Sequence, residues 1–189
     1  EDEKKSHVTL KVWKNERRII IMKIVVIGGV AGGASVAARA RRIDETAEII
    51  MFERGENVSF SNCCLPFALS GIVDNSDKLV LMDPDEFWNK YRIKAVVNHE
   101  VTDIFPDKKE VKVKNLLTGE VFTESYDKLA LSPGANAVLP ASIKGIDKEN
   151  VFIVKNVTDI KKIEAFVEAK KVSKVTVVGA GFIGLEVAE

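Results

Sequence analysis

The sequence predicts an α/β fold in which helices cover a parallel sheet, and three observations support this class. An apolar run at Lys23–Ile27 leads through small residues into an alanine-rich helix that extends to about Ile43. A second apolar run at 47–52 follows, and strand–helix–strand runs of this kind form parallel sheets. A third apolar run at 174–178 again leads into glycines. Two strand–turn–helix units are therefore predicted, about 150 residues apart.

The residues between these two units predict a small antiparallel insertion. Short strands are expected at 93–97, 101–105, 110–114 and 121–126, with a turn at 117–119. The run at 128–131 returns to the buried-strand pattern. Helices are expected to run from Pro66 towards Leu69, to begin after Asp83, and to extend from Val157 to about Lys170.

Composition and charge exclude several classes of partner. The 189 residues include 28 basic and 28 acidic side chains, and a net charge of zero gives no general attraction to nucleic acid or anionic membrane. No apolar stretch approaches the roughly 20 residues that span a bilayer, and no metal site is predicted. The two cysteines are adjacent, at 63 and 64, which rules out a disulfide framework and predicts a reducing, cytoplasmic compartment.

The two ends of the chain predict a fragment of a longer protein. Residues 1–21 are charged, patternless and begin without methionine, so we expect them to lie outside the fold, with Met22 as the natural start. A first dinucleotide-binding domain is expected over 22–149. A second is expected to start at 150–189, because a helix has only just begun when the chain reaches Glu189.

Both strand–helix turns have the glycine pattern of dinucleotide-binding turns. In such a turn the first glycine makes the bend, the second admits the pyrophosphate and the third lets the helix pack. The phosphates then meet free N–H groups at the helix start. Either turn alone could lack a ligand, but two in one chain favour two dinucleotides. The second turn fits fully with Gly179, Gly181 and Gly184, flanked by Phe182, Ile183 and Glu186, and the first contains Gly28, Gly29, Val30, Ala31, Gly32 and Gly33, with valine in the middle position.

An acidic residue distinguishes the first turn from the second. Glu53 lies 20 residues after Gly33, at the end of the next predicted strand, where an acid that binds a ribose hydroxyl belongs. This turn suits the adenosine half of FAD and predicts a Rossmann-like FAD-binding domain. The second turn suits NADH or NADPH and predicts the start of a second Rossmann-like domain. The residue that separates the two nicotinamide cofactors is expected beyond Glu189.

Cys63 is the candidate reactive group. It precedes a helix expected to start near Pro66, where free N–H groups and the helix dipole favour a thiolate. A thiolate can attack a sulfur–sulfur bond or reduce peroxide. The plain alternative is that both cysteines are small buried core residues. Packing is the default role for Cys64, and an unusual resolving thiol is the alternative.

Three segments together resemble the coenzyme A disulfide reductases. They read Val-Val-Ile-Gly-Gly-Val-Ala-Gly-Gly at 25–33, Ser-Phe-Ser-Asn-Cys-Cys-Leu-Pro at 59–66 and Tyr-Asp-Lys-Leu-Ala-Leu-Ser-Pro-Gly-Ala at 126–135. Those reductases belong to the FAD and NAD(P)-dependent disulfide reductases, with NADH oxidases, NADH peroxidases and persulfide or polysulfide reductases. The resemblance covers Met22 to Glu189. Dithiol members such as glutathione reductase carry a second cysteine where this chain has Ser59.

The resemblance implies a flavoenzyme with a single redox-active cysteine. Cys63 would be catalytic, and without a thiol at Ser59 its oxidised state would be a mixed disulfide or a sulfenic acid. A homodimer is implied for the full-length protein, with the partner subunit helping to complete the active site. Further FAD contacts are implied at Arg54, Val101, Ser132 and Gly134.

One helix face offers a candidate substrate site. Ser35, Arg39 and Arg42 share a face by helical spacing, and the plain alternative is a solvated surface. The resemblance implies that these residues line a coenzyme A channel together with Ser59 and Asn62. Arginine suits the phosphates of such a ligand. A lysine that the family uses nearby is replaced here by Tyr91, with Lys90 just before it.

The expected activity is reduction of coenzyme A disulfide, or of a coenzyme A persulfide or polysulfide, at the expense of NAD(P)H. Electrons would pass through FAD to Cys63, whose thiolate attacks the substrate sulfur. An NADH oxidase or peroxidase that cycles through a sulfenic acid is the alternative on the same scaffold. The alternative of another class is a nucleotide-binding fragment without catalysis.

Overall fold

A computed structural model describes residues 21–189 and shows two sheets and five helices in that part of the chain. The strands are β1 (Lys23–Ile27), β2 (Glu48–Phe52), β3 (Ile93–Val96), β4 (His99–Phe105), β5 (Glu110–Asn115), β6 (Val121–Ser125) and β7 (Lys128–Leu131). The helices are α1 (Ala31–Ile43), α2 (Leu65–Leu69), α3 (Pro84–Tyr91), α4 (Val157–Lys170) and α5 (Phe182–Ala188). The expected tail at 1–21 falls almost wholly outside the described residues.

The central element is a four-stranded parallel sheet with the order β3-β2-β1-β7. Its inner strands are apolar on both faces, and Val25, Val26 and Met51 are fully buried. One face packs under α1 and α3, where Ala37 and Phe87 join the core. The other face packs against the three-stranded antiparallel sheet β4-β5-β6, through its buried valines. The predicted α/β class with a small antiparallel insertion is therefore confirmed.

The predicted strand at 93–97 is real, but its assignment to the antiparallel insertion was wrong. β3 pairs in parallel with β2, from Ile49 opposite Ile93 to Phe52 opposite Val96. The physical reason is that α3 is a crossover helix on the same face as α1. Phe87 of α3 is buried in one cluster with Ile93. A strand that returns after such a helix adds to the sheet in parallel.

Local capping signals place the helix starts. Asp83 accepts the Glu86 N–H at 2.8 Å while the Glu86 carboxylate accepts the Asp83 N–H at 2.9 Å, which completes a capping box at α3. The same reciprocal arrangement of Asn156 and Asp159 begins α4, which spans the predicted residues. α2 begins at Leu65, one residue before the expected proline.

The predicted strand at 174–178 is not formed. These residues run without a ladder partner among the described residues, and Val178 is 91% exposed. A strand needs a neighbour for its N–H and C=O groups, and the apolar pattern alone does not supply one. The helix expected after the second glycine turn is present as α5.

A third core cluster joins the first part of the chain to α4. Leu65 and Ala68 of α2 and the buried Leu79 pack against Val157 and Ile160 of α4, which are both fully buried. α2 also packs against α5. Within residues 21–189, no helix has the length and apolar character needed to cross a membrane.

Candidate functional site

The first glycine turn is closed so tightly that two of its positions exclude any side chain. Gly28 has φ +91°, and a Cβ atom there would lie 2.0 Å from the carbonyl oxygen of Ser132. A Cβ at Gly33 would lie 1.7 Å from the carbonyl oxygen of Gly28. These distances are far below van der Waals contact. Helix α1 therefore packs directly on the end of β1 because both residues are glycine.

The carboxylate of Glu53 is fixed beside this turn. Its Oε2 accepts the Gly29 N–H at 2.7 Å, and its Oε1 accepts the Gly55 N–H at 2.7 Å. Its own backbone N–H donates to the carbonyl oxygen of Val96 at 2.9 Å. Glu53 directly follows β2, so the parallel sheet brings it to the same edge as the turn after β1. A carboxylate held this way can accept hydrogen bonds from ribose hydroxyls.

The start of α1 is open to an anion. Val30 is the N-cap residue and no side chain caps it, and the first turn of the helix carries no acid. The N–H groups of such an end are unsatisfied and carry partial positive charge. An anionic group can bind there, next to Gly29, whose N–H donates to the Glu53 carboxylate. The turn and Glu53 together fit the pyrophosphate and ribose of a dinucleotide.

A small cleft continues from the turn along the carboxyl edge of the sheet. Four of the residues expected at the FAD site meet around it: Gly28, Glu53, Arg54 and Val101 line it or adjoin it, and Ser132 follows β7. The Ser132 N–H donates to the carbonyl oxygen of Ile27 at 2.8 Å. Gly134, two residues later, has φ +69° in an exposed loop. The side chain of Arg54 hydrogen-bonds that of Asn136.

Sequence reasoning missed several residues that line this cleft, and His99 is one of them. The ring of His99 packs beside those of Phe52 and Phe122, with centroids 6.4 and 6.0 Å away, and its Nδ1 hydrogen-bonds the carbonyl oxygen of Val97 at 2.7 Å. His99 lies on β4, two residues before Val101, which was predicted to contact FAD, and this position was the one available signal. A lone histidine carries no spacing pattern of its own, so the sequence did not identify it as a site residue.

The second glycine turn repeats one close contact of the first, that between its last glycine and the carbonyl oxygen of its first. Gly179 has φ +115°, and a Cβ atom at Gly184 would lie 1.9 Å from its carbonyl oxygen. Gly181 is the N-cap of α5 with open space where a Cβ would stand. The other predicted residues, Phe182, Ile183 and Glu186, lie on α5, where Phe182 is 89% exposed. The predicted spacing therefore corresponds to the same physical turn in both places.

The segment that carries Cys63 is tied to the first glycine turn. The Ser59 N–H donates to the carbonyl oxygen of Gly29 at 3.0 Å, and Ser59 itself adopts φ +48°. The Ser61 N–H donates to the carbonyl oxygen of Leu79 at 2.8 Å. Cys63 then lies in the short 3-10 turn Asn62–Cys64, exposed to solvent, immediately before α2. These bonds fix the backbone four and two residues before Cys63, and the first of them joins it to the dinucleotide turn.

The two cysteines occupy different environments. Cys64 is half-buried and packs against the cluster of Leu65, Leu79, Val157 and Ile160, whereas Cys63 is exposed. Neither is in a disulfide. This packing favours the default role for Cys64 and disfavours a resolving thiol, since its side chain is directed towards apolar neighbours. Among residues 21–189 there is no group of three side chains able to hold a metal ion.

The expected substrate face of α1 is exposed. Its arginines, Arg39 and Arg42, are exposed, whereas Arg41 between them is bonded to the backbone. Ser35, Arg39 and Arg42 are all exposed, as is Asn62, while Ser59 is half-buried. Arg41 instead donates to four backbone carbonyls at 2.7–3.2 Å, at the ends of α1 and α3. Arg41 therefore has a structural role. Arg39 and Arg42 remain available to a ligand.

The position expected for a lysine is occupied by a packed tyrosine. Tyr91 is half-buried beside Phe87, with ring centroids 6.3 Å apart. The ammonium of Lys90 lies 5.5 Å from the centroid of the Tyr91 ring. The tyrosine thus belongs to the α3 core face, and Lys90 and Arg92 are the cations at this end of α3.

Comparison with known proteins agrees with this geometry. A family model described as "Pyridine nucleotide-disulphide oxidoreductase" matches residues 22–189. Coenzyme A disulfide reductase from Staphylococcus aureus (strain bovine RF122 / ET3-1) is 42% identical over 167 residues, which are 88% of this chain and 37% of that reductase. The chain therefore spans less than two fifths of the length of this curated relative.

Solved structures show the same fold. Reduced CoADR-RHD from Bacillus anthracis is 45% identical with a TM-score of 0.85, covering 89% of this chain and 30% of its own. A NAD-dependent persulfide reductase from A. fulgidus is 36% identical with a TM-score of 0.83, covering 89% and 31%. The water-forming NADH oxidase from Lactobacillus brevis, bound to NADH, is 34% identical with a TM-score of 0.80, covering 89% and 36%. With its two glycine turns and its family match over 22–189, the chain belongs to the pyridine nucleotide-disulphide oxidoreductase family.

Proposed function

We propose that the complete protein is an FAD-dependent NAD(P)H:disulfide oxidoreductase that uses Cys63 as its single redox-active thiol. The observation that carries this proposal is the hydrogen bond from Ser59 to Gly29, which ties the exposed Cys63 to the first dinucleotide turn. Residues 22–149 would form most of the FAD domain, and residues 150–189 would begin the NAD(P) domain. The preferred substrate is coenzyme A disulfide, or a coenzyme A persulfide or polysulfide.

The first turn would hold FAD and the second NADH or NADPH. The open N–H groups at the start of α1 suit the pyrophosphate of FAD, and the Glu53 carboxylate suits its ribose. When bound, FAD would supply the two electrons, taken from NAD(P)H, that return Cys63 to the thiolate. Arg54, Val101, Ser132 and Gly134 complete the proposed cofactor site. Gly179, Gly181 and Gly184 form the turn proposed for the nicotinamide cofactor.

Cys63 would act as the nucleophile towards the substrate disulfide. Its thiolate attacks one substrate sulfur, the sulfur–sulfur bond breaks, and the second sulfur leaves as a thiolate that takes up a proton. The product of this step is a mixed disulfide between Cys63 and half of the substrate. With serine at position 59 and Cys64 packed into an apolar cluster, the proposal is that no second thiol resolves this mixed disulfide.

The proposed substrate face recognises the phosphates of coenzyme A. Arg39 and Arg42 are exposed on α1, and guanidinium groups bind phosphate oxygens in pairs. Ser35, Ser59 and Asn62 would add hydrogen bonds between this face and Cys63. A homodimer in the cytoplasm is proposed for the complete protein, with small-molecule substrates as its partners.

The test uses the complete protein loaded with FAD and compares Cys63→Ser with Cys64→Ser. We expect Cys63→Ser to abolish NAD(P)H-dependent reduction of coenzyme A disulfide, because serine cannot form the mixed disulfide. Cys64→Ser is the matched control and should retain the activity with a lower thermal stability, since it places a hydroxyl in an apolar cluster. If Cys63→Ser reduced the disulfide as fast as the unchanged protein, the proposed mechanism would be wrong.

A second candidate is supported by the similarity to the water-forming NADH oxidase, with its TM-score of 0.80. In that function Cys63 would cycle through a sulfenic acid instead of a mixed disulfide. NADH-dependent oxygen consumption that needs Cys63 and no coenzyme A compound would favour it. Rapid turnover with coenzyme A disulfide and little oxygen uptake would favour the reductase.

A further inference from the structure

A continuous set of contacts runs from α4 to the segment that carries Cys63. It begins at Ser76, which is only 6% exposed and is the buried polar residue of this region. Its hydroxyl donates to Oε2 of Glu164 on α4 at 3.0 Å. A hydroxyl buried without such a partner would cost free energy, so this bond ties Ser76 to α4.

Ser76 begins the short 3-10 turn Ser76–Leu79. The last residue of this turn, Leu79, contacts both α4 and the Cys63 segment. The Leu79 side chain is 1% exposed and packs against Val157 and Ile160 of α4. Its carbonyl oxygen accepts the Ser61 N–H at 2.8 Å, two residues before Cys63. The carbonyl oxygen of Ser61 in turn accepts the Cys64 N–H at 3.3 Å.

Two more polar contacts flank the same interface. Lys161 of α4 pairs with Asp77 at 2.6 Å, and the Thr158 hydroxyl donates to Glu56 at 3.1 Å. Both lie on the exposed surface, where such contacts contribute little. The part-buried hydrogen bond from the buried Ser76 and the apolar cluster around Leu79 are therefore the main contacts of the interface.

We infer that Ser76, bonded to Glu164, is a positioning residue for Cys63. It fixes the 3-10 turn Ser76–Leu79 on α4, and that turn holds the Cys63 segment through the bond from Ser61 to Leu79. The inference rests on the proposed function, because it assigns a role in the reactivity of Cys63. It adds that α4, which leads towards the second glycine turn, sets the position of the thiol at the first.

The experiment compares Ser76→Ala with Ser70→Ala in the complete, FAD-loaded protein. Ser70 is the matched control, because it is exposed at the end of α2 and its hydroxyl bonds only the Phe67 carbonyl at 3.2 Å. Two quantities are measured: kcat and KM for NAD(P)H-dependent disulfide reduction, and the rate of Cys63 alkylation by iodoacetamide at pH 7, read by peptide mass mapping.

We expect Ser76→Ala to lower kcat about three- to tenfold, less than the ~100-fold that a 1 Å displacement of a reacting group can cost. KM for NAD(P)H should stay within about twofold. Alkylation of Cys63 should change by about threefold, because its rate depends on how the exposed thiol is presented to the reagent. Glu164→Gln keeps an acceptor oxygen and should behave nearly as the unchanged protein, whereas Glu164→Ala should match Ser76→Ala.

Equal kcat values, or equal alkylation rates, in Ser76→Ala and Ser70→Ala would each overturn the inference. If Ser76→Ala failed to fold, Glu164→Ala would give the same decision, because Glu164 is exposed on α4 and its loss leaves the core intact. Alkylation is measured without turnover. An active Cys63→Ser variant would refute the proposed function, and an unchanged Cys63 alkylation rate in Ser76→Ala would refute this inference alone.

Discussion

Adding one methyl group at Gly33 should weaken ligand binding at the first dinucleotide site and leave the second site unaffected. In Gly33→Ala the new Cβ would lie 1.7 Å from the Gly28 carbonyl oxygen, and real Cβ atoms do not approach within 3.0 Å. The difference, 3.0 − 1.7 = 1.3 Å, is the least distance by which α1 and the turn must separate. Gly28 cannot yield freely, because its own Cα faces the Ser132 carbonyl.

The expected size follows from the cost of inserting a methyl group into a packed contact. Overpacking of this kind costs about 1–3 kcal/mol. Since each 1.4 kcal/mol is a factor of ten, the loss of FAD affinity should be about 5- to 150-fold if the strain is relieved only when the turn opens. The N–H groups at the start of α1 then move away from the pyrophosphate.

The assay titrates FAD into the flavin-free complete protein and follows the flavin fluorescence. Gly184→Ala is the matched variant, because its Cβ would lie 1.9 Å from the Gly179 carbonyl oxygen, nearly the same clash. Gly33→Ala should weaken FAD binding, and Gly184→Ala should weaken NAD(P)H binding with FAD affinity unchanged. FAD affinity within twofold of the unchanged protein in Gly33→Ala would refute the steric reasoning.

Two further predictions concern stability. Arg41→Lys should lower the free energy of unfolding by about 2–3 kcal/mol, because a lysine cannot replace four guanidinium hydrogen bonds to carbonyls. Arg42→Lys, on the exposed face, should change the free energy of unfolding by less than about 0.5 kcal/mol. Urea titration of both variants checks this prediction. The hydrogen bond to Glu124, followed by the charges of Glu124 and Glu48, raises the pKa of Lys23 despite partial burial. The raised pKa means that the stabilisation is complete below the ordinary lysine value of about 10.4 and is lost as the pH rises through the higher folded pKa. The stability difference between the unchanged protein and Lys23→Met should therefore be constant from pH 7 to 9 and shrink towards pH 11, and a difference that widens at high pH would contradict the assigned cause.

Steric and local patterns were predictable from the sequence because their causes lie within a few residues. The glycine spacing at 28–33 and 179–184 has a steric cause. A side chain on the last glycine of each turn would clash with the carbonyl oxygen of the first, five residues earlier. The capping boxes that begin α3 and α4 have the same local origin. Glu53 was found because strand ends in a parallel sheet share one edge.

Partners in the third dimension were not predictable in the same way. The strand at 93–97 was recognised, but its neighbour depended on which face α3 covers, and periodicity does not report that. The apolar run at 174–178 gave a strand pattern without a partner strand among the described residues. For strands, the sequence predicts the element more readily than its pairing.

The same limit separates the arginines and the cysteines. Helical spacing placed Arg39 and Arg42 on one face, yet it could not show that Arg41 binds carbonyls near the end of α3, about 50 residues later. The role of Cys64 depends on Val157 and Ile160, which are nearly 100 residues away in sequence. The contact between α4 and the Cys63 segment had no sequence signal.

The central claim is that Cys63 alone forms the covalent intermediate. The most direct measurement mixes the complete protein, with its cysteines reduced and its bound FAD oxidised, with one equivalent of coenzyme A disulfide, quenches it in acid and maps the peptides under non-reducing conditions. We predict the mass of one coenzyme A on the peptide at Cys63 and a free thiol at Cys64. Coenzyme A on Cys64, a disulfide between the two cysteines, or no adduct on either would contradict it.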